Sequence, residues 1–347
     1  MNHYFPVTHS ILSVKALETD ILSKYALGTI VDFKFLRQGL NDTYILTIAN
    51  GEKFILRVYR TNWRSLPDIS YEIDVLNHIS KKGVSVSKPL SQKDGSIIQS
   101  IPAPEGTRYI VLFTYAVGEL PLYEEVSRNN AFNYGKAAAK IHNAAQDFKS
   151  QHIRFSIDIK HLIDIPMKSI GSILSHRQDD WLYLQHLVDK IHSQFDRMSS
   201  TLEQGFCHGD LHGGNANIAD DGTITFYDFD CCGWGWRAYD IAVFRWSARL
   251  RNKENSRWKS FLKGYTEERT ISDADLEAVP LFIGVRHLWL LGLHISNGGD
   301  TGFGWLNDAY IDRGLKFLHD WDKEYFSKKQ LSSSILRQWL TKKCSLM

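Results

Sequence analysis

The stretch GFCHGDLHGGNANI, residues 205–218, brings His208, Asp210, His212 and Asn215 close together between an apolar approach and an apolar exit. Two chemistries could use such a cluster. Two histidines flanking an aspartate suit a metal-hydrolase site. An aspartate followed five positions later by an asparagine suits phosphoryl transfer. That reaction needs a carboxylate to orient the incoming hydroxyl and accept its proton, and oxygen ligands to hold Mg²⁺ against nucleotide phosphates. The downstream sequence bears on the choice. Asp228-Phe229-Asp230 follows at the end of an expected strand, so a hairpin sets a second acidic group opposite the loop. The ordered set assigns Asp210 as catalytic base, with Asn215 and Asp228 as metal ligands. A plain turn also favours Asp, Asn and Gly, but it does not demand His208 or the later Asp228. His208 is expected to hold the loop through a backbone hydrogen bond. His212 is either a prop for the loop or a support behind the reacting groups.

The hydrolase alternative would take His208, Asp210 and His212 as ligands. Zinc sites close with further His or Cys at definite spacing, and the next histidines, His287, His294 and His319, form no short ligand pair. That reading also leaves Asp228 and the strands of the first lobe without a role.

Those strands are β-branched and aromatic: 28–36, 43–49 and 53–59, the last two joined by the hairpin signal Asn50-Gly51. A helix is expected over 66–83, where Ile69, Ile73, Leu76 and Ile79 recur at helical spacing before Gly83. Two more strands are expected near 96–100 and over 108–115. Three strands, a helix and two strands make a small antiparallel sheet with one helix packed on it. Near Gly118-Glu119-Leu120-Pro121 the pattern turns helical, which divides the chain into 1–118 and 119–347. Helices are expected at 134–148, over much of 159–200, and at 236–250, 254–268, 275–296 and 306–326. Between them lies the opening motif, followed by short strands at 217–219 and 223–228.

Size and composition allow this organisation. A chain of 347 residues suits two domains or lobes, and 43% hydrophobic residues supply a core. A balance of 41 Lys+Arg against 39 Asp+Glu offers no concentrated basic face for nucleic acid. Four cysteines at 207, 231, 232 and 344 form no CxxC pair, which fits a reducing cytoplasm. No signal peptide is expected from MNHYFPVTHS, and no run of about 18 apolar residues marks a membrane span. Cys344-Ser345-Leu346-Met347 loosely fits a lipidation pattern, although Ser345 is a poor aliphatic position.

With CHGDLHGGN followed by FYDFD, the chain resembles the aminoglycoside phosphotransferase / choline kinase superfamily of protein-kinase-like small-molecule kinases. By order of elements the likeness runs roughly from residue 28 to residue 325. It implies a bilobal, protein-kinase-like α+β fold with ATP in the cleft, a sheet lobe with one helix at 1–118 and a mostly helical lobe at 119–347. The catalytic and metal positions again match Asp210, Asn215 and Asp228. Asp240 matches an acidic residue that supports the catalytic loop, or is an ordinary helix-start residue. The resemblance further implies a phosphate-gripping cation on the third strand, Arg57, fixed by Glu72 from the following helix. Lys is commoner there, and choline-kinase-like members resemble this sequence better. The loop RQGLNDTY would cover the phosphates with Gly39, Asn41 and Thr43, and adenine would meet the connecting segment 113–117, with Thr114 and Ala116. Lys88 reads as a surface charge.

The expected activity is Mg²⁺- and ATP-dependent phosphorylation of a small-molecule hydroxyl, a metabolite or natural product, with neither nucleic acid nor membrane as partner. Alternatives are a protein Ser/Thr kinase of the bacterial stress-response branch, which LFIGVRHLWLLGLH and GFGWLNDAYIDRGLKFL resemble, an aminoglycoside phosphotransferase, and a non-catalytic nucleotide-binding module. Trp234, Trp236, His287, Trp289 and Trp305 are candidate walls of an acceptor pocket, or core aromatics of a helical bundle. Asp300, Asp308 and Asp312 are too scattered to form the acidic rim a polycation would need.

Overall fold

The computed structural model describes residues 5–120 and 128–344, with side chains up to residue 326 except at 128, 300 and 301. Pro121, residues 345–347 of the tail pattern and the side chain of Cys344 lie outside the described residues, as does the side chain of Asp300. By contacts the chain divides into two compact units, Met1–Ser156 with Gly205–Trp234 and Ser247–Thr270, and Ile157–Gln204 with Gly235–Trp246 and Ile271–Met347.

The first unit begins with an antiparallel sheet of β1 (Ile30–Gln38), β2 (Asp42–Ile48), β3 (Lys53–Val58), β4 (Gln99–Ala103) and β5 (Gly106–Thr114), in the order β1-β2-β3-β5-β4. Strand side chains alternate between faces, and here the alternation separates core from cavity. Tyr44, Leu46, Ile48, Phe54, Leu56, Val58, Ile110 and Leu112 are buried on one face with Leu17, Ile21 and Leu22. Those last three come from short helical turns over Val14–Lys24, a cover that sequence patterning did not resolve. The other face presents Thr43, Ile55, Arg57 and Phe113 in register, Thr43 opposite Arg57 and Ile55 opposite Phe113.

Gly51, at φ 87°, makes the β2–β3 turn where Asn50-Gly51 pointed. β4 runs three residues past the expected end at Ser100 and includes Pro102. It is an edge strand, where a missing ladder N–H is tolerated.

One helix, α1 (Leu66–Lys81), is tied to this sheet by Glu72, which accepts from Arg57 of β3. Ser65 and Asp68 form a reciprocal capping box at its start, which satisfies two otherwise orphaned backbone donors. Ile69, Ile73, Val75, Leu76 and Ile79 are buried, and Glu72 lies among them.

Also in the first unit, the helices Arg128–Ala144 and Glu254–Glu268 meet at two glycines. A Cβ on Gly135 would stand 2.0 Å from the Phe261 carbonyl oxygen, and one on Gly264 would stand 1.9 Å from that of Phe132. The hairpin of β6 (Ala216–Ile218) and β7 (Ile224–Phe226) pairs in the expected order around Gly222.

The second unit is helical, with Gln178–Met198 and Asp273–Ser296 as long elements. Among the described residues Asp273–Ser296 is long and apolar enough to cross a membrane, and 78% of its most apolar window is buried within the protein. Arg286 and His287 interrupt its apolar sequence, so a count of uninterrupted runs passed over it.

Candidate active site

The loop after Cys207 is fixed by its own backbone. Gly209 adopts φ 80°, a left-handed conformation open to glycine at no steric cost. His208 is fully buried. Its Nδ1 accepts the Asp210 N–H at 3.3 Å, so Nε2 carries the proton and donates to the Tyr227 carbonyl at 3.1 Å. The expected backbone role of His208 is thus realised twice over, with the imidazole neutral.

His212 uses the same logic. Nδ1 accepts from Gly214 N–H at 2.9 Å, and Nε2 lies 3.4 Å from Asp210 Oδ2. His212 therefore both props the loop and faces the aspartate. Asn215 donates from Nδ2 to the Asp210 carbonyl and to Asp210 Oδ2, each at 2.9 Å. With those protons spent on Asp210, the amide oxygen is the end available to a cation.

Asp228 follows β7 in a left-handed conformation, φ 63° and ψ 57°, which costs a non-glycine residue about 1–2 kcal/mol. Its Oδ1 accepts from Arg57 Nη2 at 3.0 Å, and Arg57 Nη1 reaches Glu72 Oε1 at 2.9 Å. Tyr59 donates its hydroxyl to Glu72 Oε2 at 2.8 Å. The Arg57 guanidinium also lies over the Phe113 ring, 5.2 Å from its centre.

Arg57 is thus a largely buried, two-pronged pivot, its side chain 11% exposed, and a solvated strand residue it is not. Burial works against its charge, but Asp228 and Glu72 outweigh it and raise its pKa. Burial pushes the Glu72 carboxyl up, opposed by Arg57. A guanidinium suits this place because its planar fork can meet two carboxylates at once.

Asp230 is the functional-site residue that sequence reading quoted but left without a role. Its carboxylate accepts from Asn41 Nδ2 at 2.9 Å, Trp63 Nε1 at 2.6 Å and Arg64 Nε at 2.7 Å. Its carbonyl accepts from Arg64 and from Arg154. Burial works to raise its pKa, but Arg64, Arg57 and the Trp63 bond hold it down at about 2. Its partners come from positions 41, 63, 64 and 154, with no spacing to announce them.

A cavity of about 630 Å³ gathers most of the expected positions. Its polar lining includes Gly39, Asn41, Thr43, Arg57, Glu72, Asp210, Asp228 and Asp230, and its apolar lining includes Ile55, Leu76, Phe113 and Ala116. Two expected residues differ in role from the reading. Asn41 spends its side chain on Asp230 and on the Arg60 N–H, at 3.2 Å, so it braces the β1–β2 turn. Thr114 is not among the lining residues, whereas Phe113, Tyr115 and Ala116 are. Strand alternation is the reason, since Thr114 pairs with Phe54, on the core face, and Phe113 with Ile55. Lys88 engages through its backbone, its N–H donating to Thr114 Oγ1 at 2.9 Å. Asn215 does not line the cavity; it reaches it through Asp210.

Among the described residues no group of three or more His, Cys, Asp or Glu could hold a metal ion. The paired oxygen donors Asn215 and Asp228 nevertheless suit a hard cation that keeps waters and phosphate oxygens in its shell. Cys231, also on the lining, is kept as the thiol by burial, which raises its pKa.

The candidate acceptor aromatics divide by environment. Trp236 and Trp289 are buried, and Trp236 packs against Phe195 and Phe282 at 4.6 and 6.1 Å between ring centres. His287 accepts from Trp246 Nε1 and stacks on Phe317, and burial pushes its pKa down to about 3. These are core roles. Trp234 and Trp305 are exposed. Asp240 is fully buried in the first turn of the helix Arg237–Leu250.

A family model described as Phosphotransferase enzyme family matches residues 32–270. An uncharacterized protein of Deinococcus radiodurans is 34% identical over 326 residues, covering 92% of this chain and 93% of that protein. A homoserine kinase of Neisseria meningitidis serogroup B is 28% identical over 294 residues, covering 81% and 90%. Among solved structures, the amicoumacin kinase hAmiN in complex with AMP-PNP, Ca²⁺ and Ami is similar with TM-score 0.72 and 25% identity, covering 87% of this chain and 93% of that one.

Proposed function

The chain belongs to the phosphotransferase enzyme family and is a kinase acting on a hydroxyl, and from that premise we propose that it uses ATP and Mg²⁺ to phosphorylate a small metabolite or natural product. The observation that carries this reading is one cavity that joins the Asp210 carboxylate to the Arg57–Glu72–Asp228 chain of ion pairs.

In the proposed mechanism Asp210 orients the acceptor hydroxyl and takes its proton, a contribution worth roughly 10²–10⁴ in rate. The amide of Asn215 and the imidazole of His212 meet the same carboxylate oxygen and fix its plane. Asn215 and Asp228 would hold the metal, which when bound would supply neutralisation of charge on the transferred phosphoryl group. Arg57 offers the phosphates a planar fork kept in place by Glu72, which Tyr59 in turn holds. The apolar part of the lining receives the base.

The relatives support a small acceptor: homoserine is a metabolite and amicoumacin a natural product. A cytoplasmic setting belongs to the same reading, supported by free thiols at Cys207, Cys231 and Cys232.

The test is transfer of label from γ-labelled ATP into three pools: a metabolite and natural-product extract, refolded cell protein, and aminoglycosides. Label in the first pool, dependent on Mg²⁺ and lost in Asp228→Ala, is expected. Label in protein alone would overturn the small-molecule assignment.

A further inference from the structure

Ser87 is buried, lines the cavity and belongs to the chain just before Lys88. Its N–H donates to the Phe226 carbonyl at 2.8 Å, and its hydroxyl donates to the Thr114 carbonyl. A serine hydroxyl has one proton and two lone pairs. With the proton committed to Thr114, Oγ can offer a ligand only lone pairs. Farther along the same connecting segment the carbonyls of Ala116 and Gly118 accept from Asn217 Nδ2 at 2.6 and 3.2 Å. Ile55, Leu76 and Phe113 of the same lining have no side-chain hydrogen-bonding group. Ser87 is therefore a buried side-chain acceptor on the cavity wall.

We propose that Ser87 selects the nucleotide at the 6-position of its base, favouring a 6-amino purine over a 6-oxo purine. The inference rests on the nucleotide-site reading above. A 6-amino group donates to Ser87 Oγ while the Ser87–Thr114 bond stays intact. A 6-oxo group meets lone pairs with its own lone pairs. Rotating the hydroxyl to donate to that oxygen would not rescue it, because the Thr114 carbonyl would then lose its donor in a buried place. Either way one buried acceptor is left unpaired, and such a mismatch is what makes a hydrogen-bonding site discriminate strongly.

The experiment measures dissociation constants by calorimetry for ATP and for inosine triphosphate, each with Mg²⁺. The two differ at the 6-position and, with it, at N1, which carries a proton only in the 6-oxo base. The change of the ratio in Ser87 variants is therefore what reports on Ser87. The wild type should bind ATP at least tenfold more tightly, a ratio of roughly the size one unpaired buried acceptor produces. Ser87→Ala should lower the ratio by about tenfold, chiefly through weaker ATP binding, and Ser87→Thr, which keeps the hydroxyl, should retain it. A merely structural role for Ser87 would weaken both nucleotides alike and leave the ratio unchanged. An unchanged ratio in Ser87→Ala, with ATP still bound by the wild type, overturns the Ser87 assignment and leaves the nucleotide site standing. Failure of the wild type to bind either nucleotide overturns both.

Discussion

The loop 208–215 and the cluster around Asp230 belong to the same unit, yet they are fixed by different physics. In the loop, neutral partners do the holding: two imidazoles and an amide bond to backbone within a few residues of themselves or across the adjoining hairpin. Each such bond contributes about 1 kcal/mol net, and the one charge they surround, Asp210, stays partly exposed, with 19% of its side-chain surface accessible. Around Asp230 the holding is done by charge out of water. Arg64 and Asp230 are 8% and 4% exposed at the side chain, and Arg57 and Glu72 are 11% and 1%. A buried ion pair is costly to break because it strands its partner. The difference teaches that the reacting carboxylate is kept available by a local frame, while the surrounding site is locked by residues drawn from all over the unit.

The comparison breaks most visibly if the lock is removed. Asp230→Ala leaves Arg64, Asn41 and Trp63 without their shared acceptor, and the loss of stability should be about 3–5 kcal/mol, read from denaturant unfolding. A loss below about 1 kcal/mol, the scale of a single neutral bond, would show that the cluster is no more than another hydrogen-bonded loop.

Arg57 stands where lock and site meet. Arg57→Ala should weaken ATP by roughly ten- to a hundredfold more than AMP, since the lost charge-assisted bonds lie on the phosphates. Arg57→Lys should recover only part, keeping the charge but not the fork. Equal weakening of ATP and AMP would assign Arg57 to the lock alone.

Acid sharpens the contrast further. Against burial, Arg64 and Arg57 hold the Asp230 carboxyl at about 2 in the folded protein, below the ordinary aspartate value of 3.8. Its contribution is therefore fully present above about pH 4 and is lost as pH falls through 2, an effect of roughly 2 kcal/mol. Asp230→Asn should flatten that acid limb of the stability curve. Parallel limbs for variant and wild type would remove Asp230 as its source.

The same contrast explains what the sequence made legible. His208, Asp210, Asn215 and Asp228 are spaced by a loop and a hairpin, so their assembly follows from local geometry. The sheet was equally readable, from its β-branched and aromatic runs and the Asn50-Gly51 turn. The alternation along β2, β3 and β5 that separates core from cavity became plain only in the fold. The segment 113–117 was read for its backbone, so the sequence reading did not distinguish the core-facing Thr114 side chain from the cavity-lining Phe113. Asn41 was read as part of a phosphate loop, but its partner Asp230 is 189 positions away. Trp63, Arg64 and Arg154 carry no pattern at all, because a buried charge cluster constrains position in space and not spacing along the chain. The turns over Val14–Lys24 were missed for a related reason: they are too short to set up a helical period.

The most direct test of the account is a paired measurement on Asp210→Asn, which keeps the shape of the loop and removes the charge that accepts the proton. ATP affinity in the presence of Mg²⁺ should stay within a few-fold of wild type, while transfer to the acceptor falls by roughly 10²–10⁴. Transfer at the wild-type rate, with nucleotide bound equally well, would contradict the assignment of Asp210 as the base.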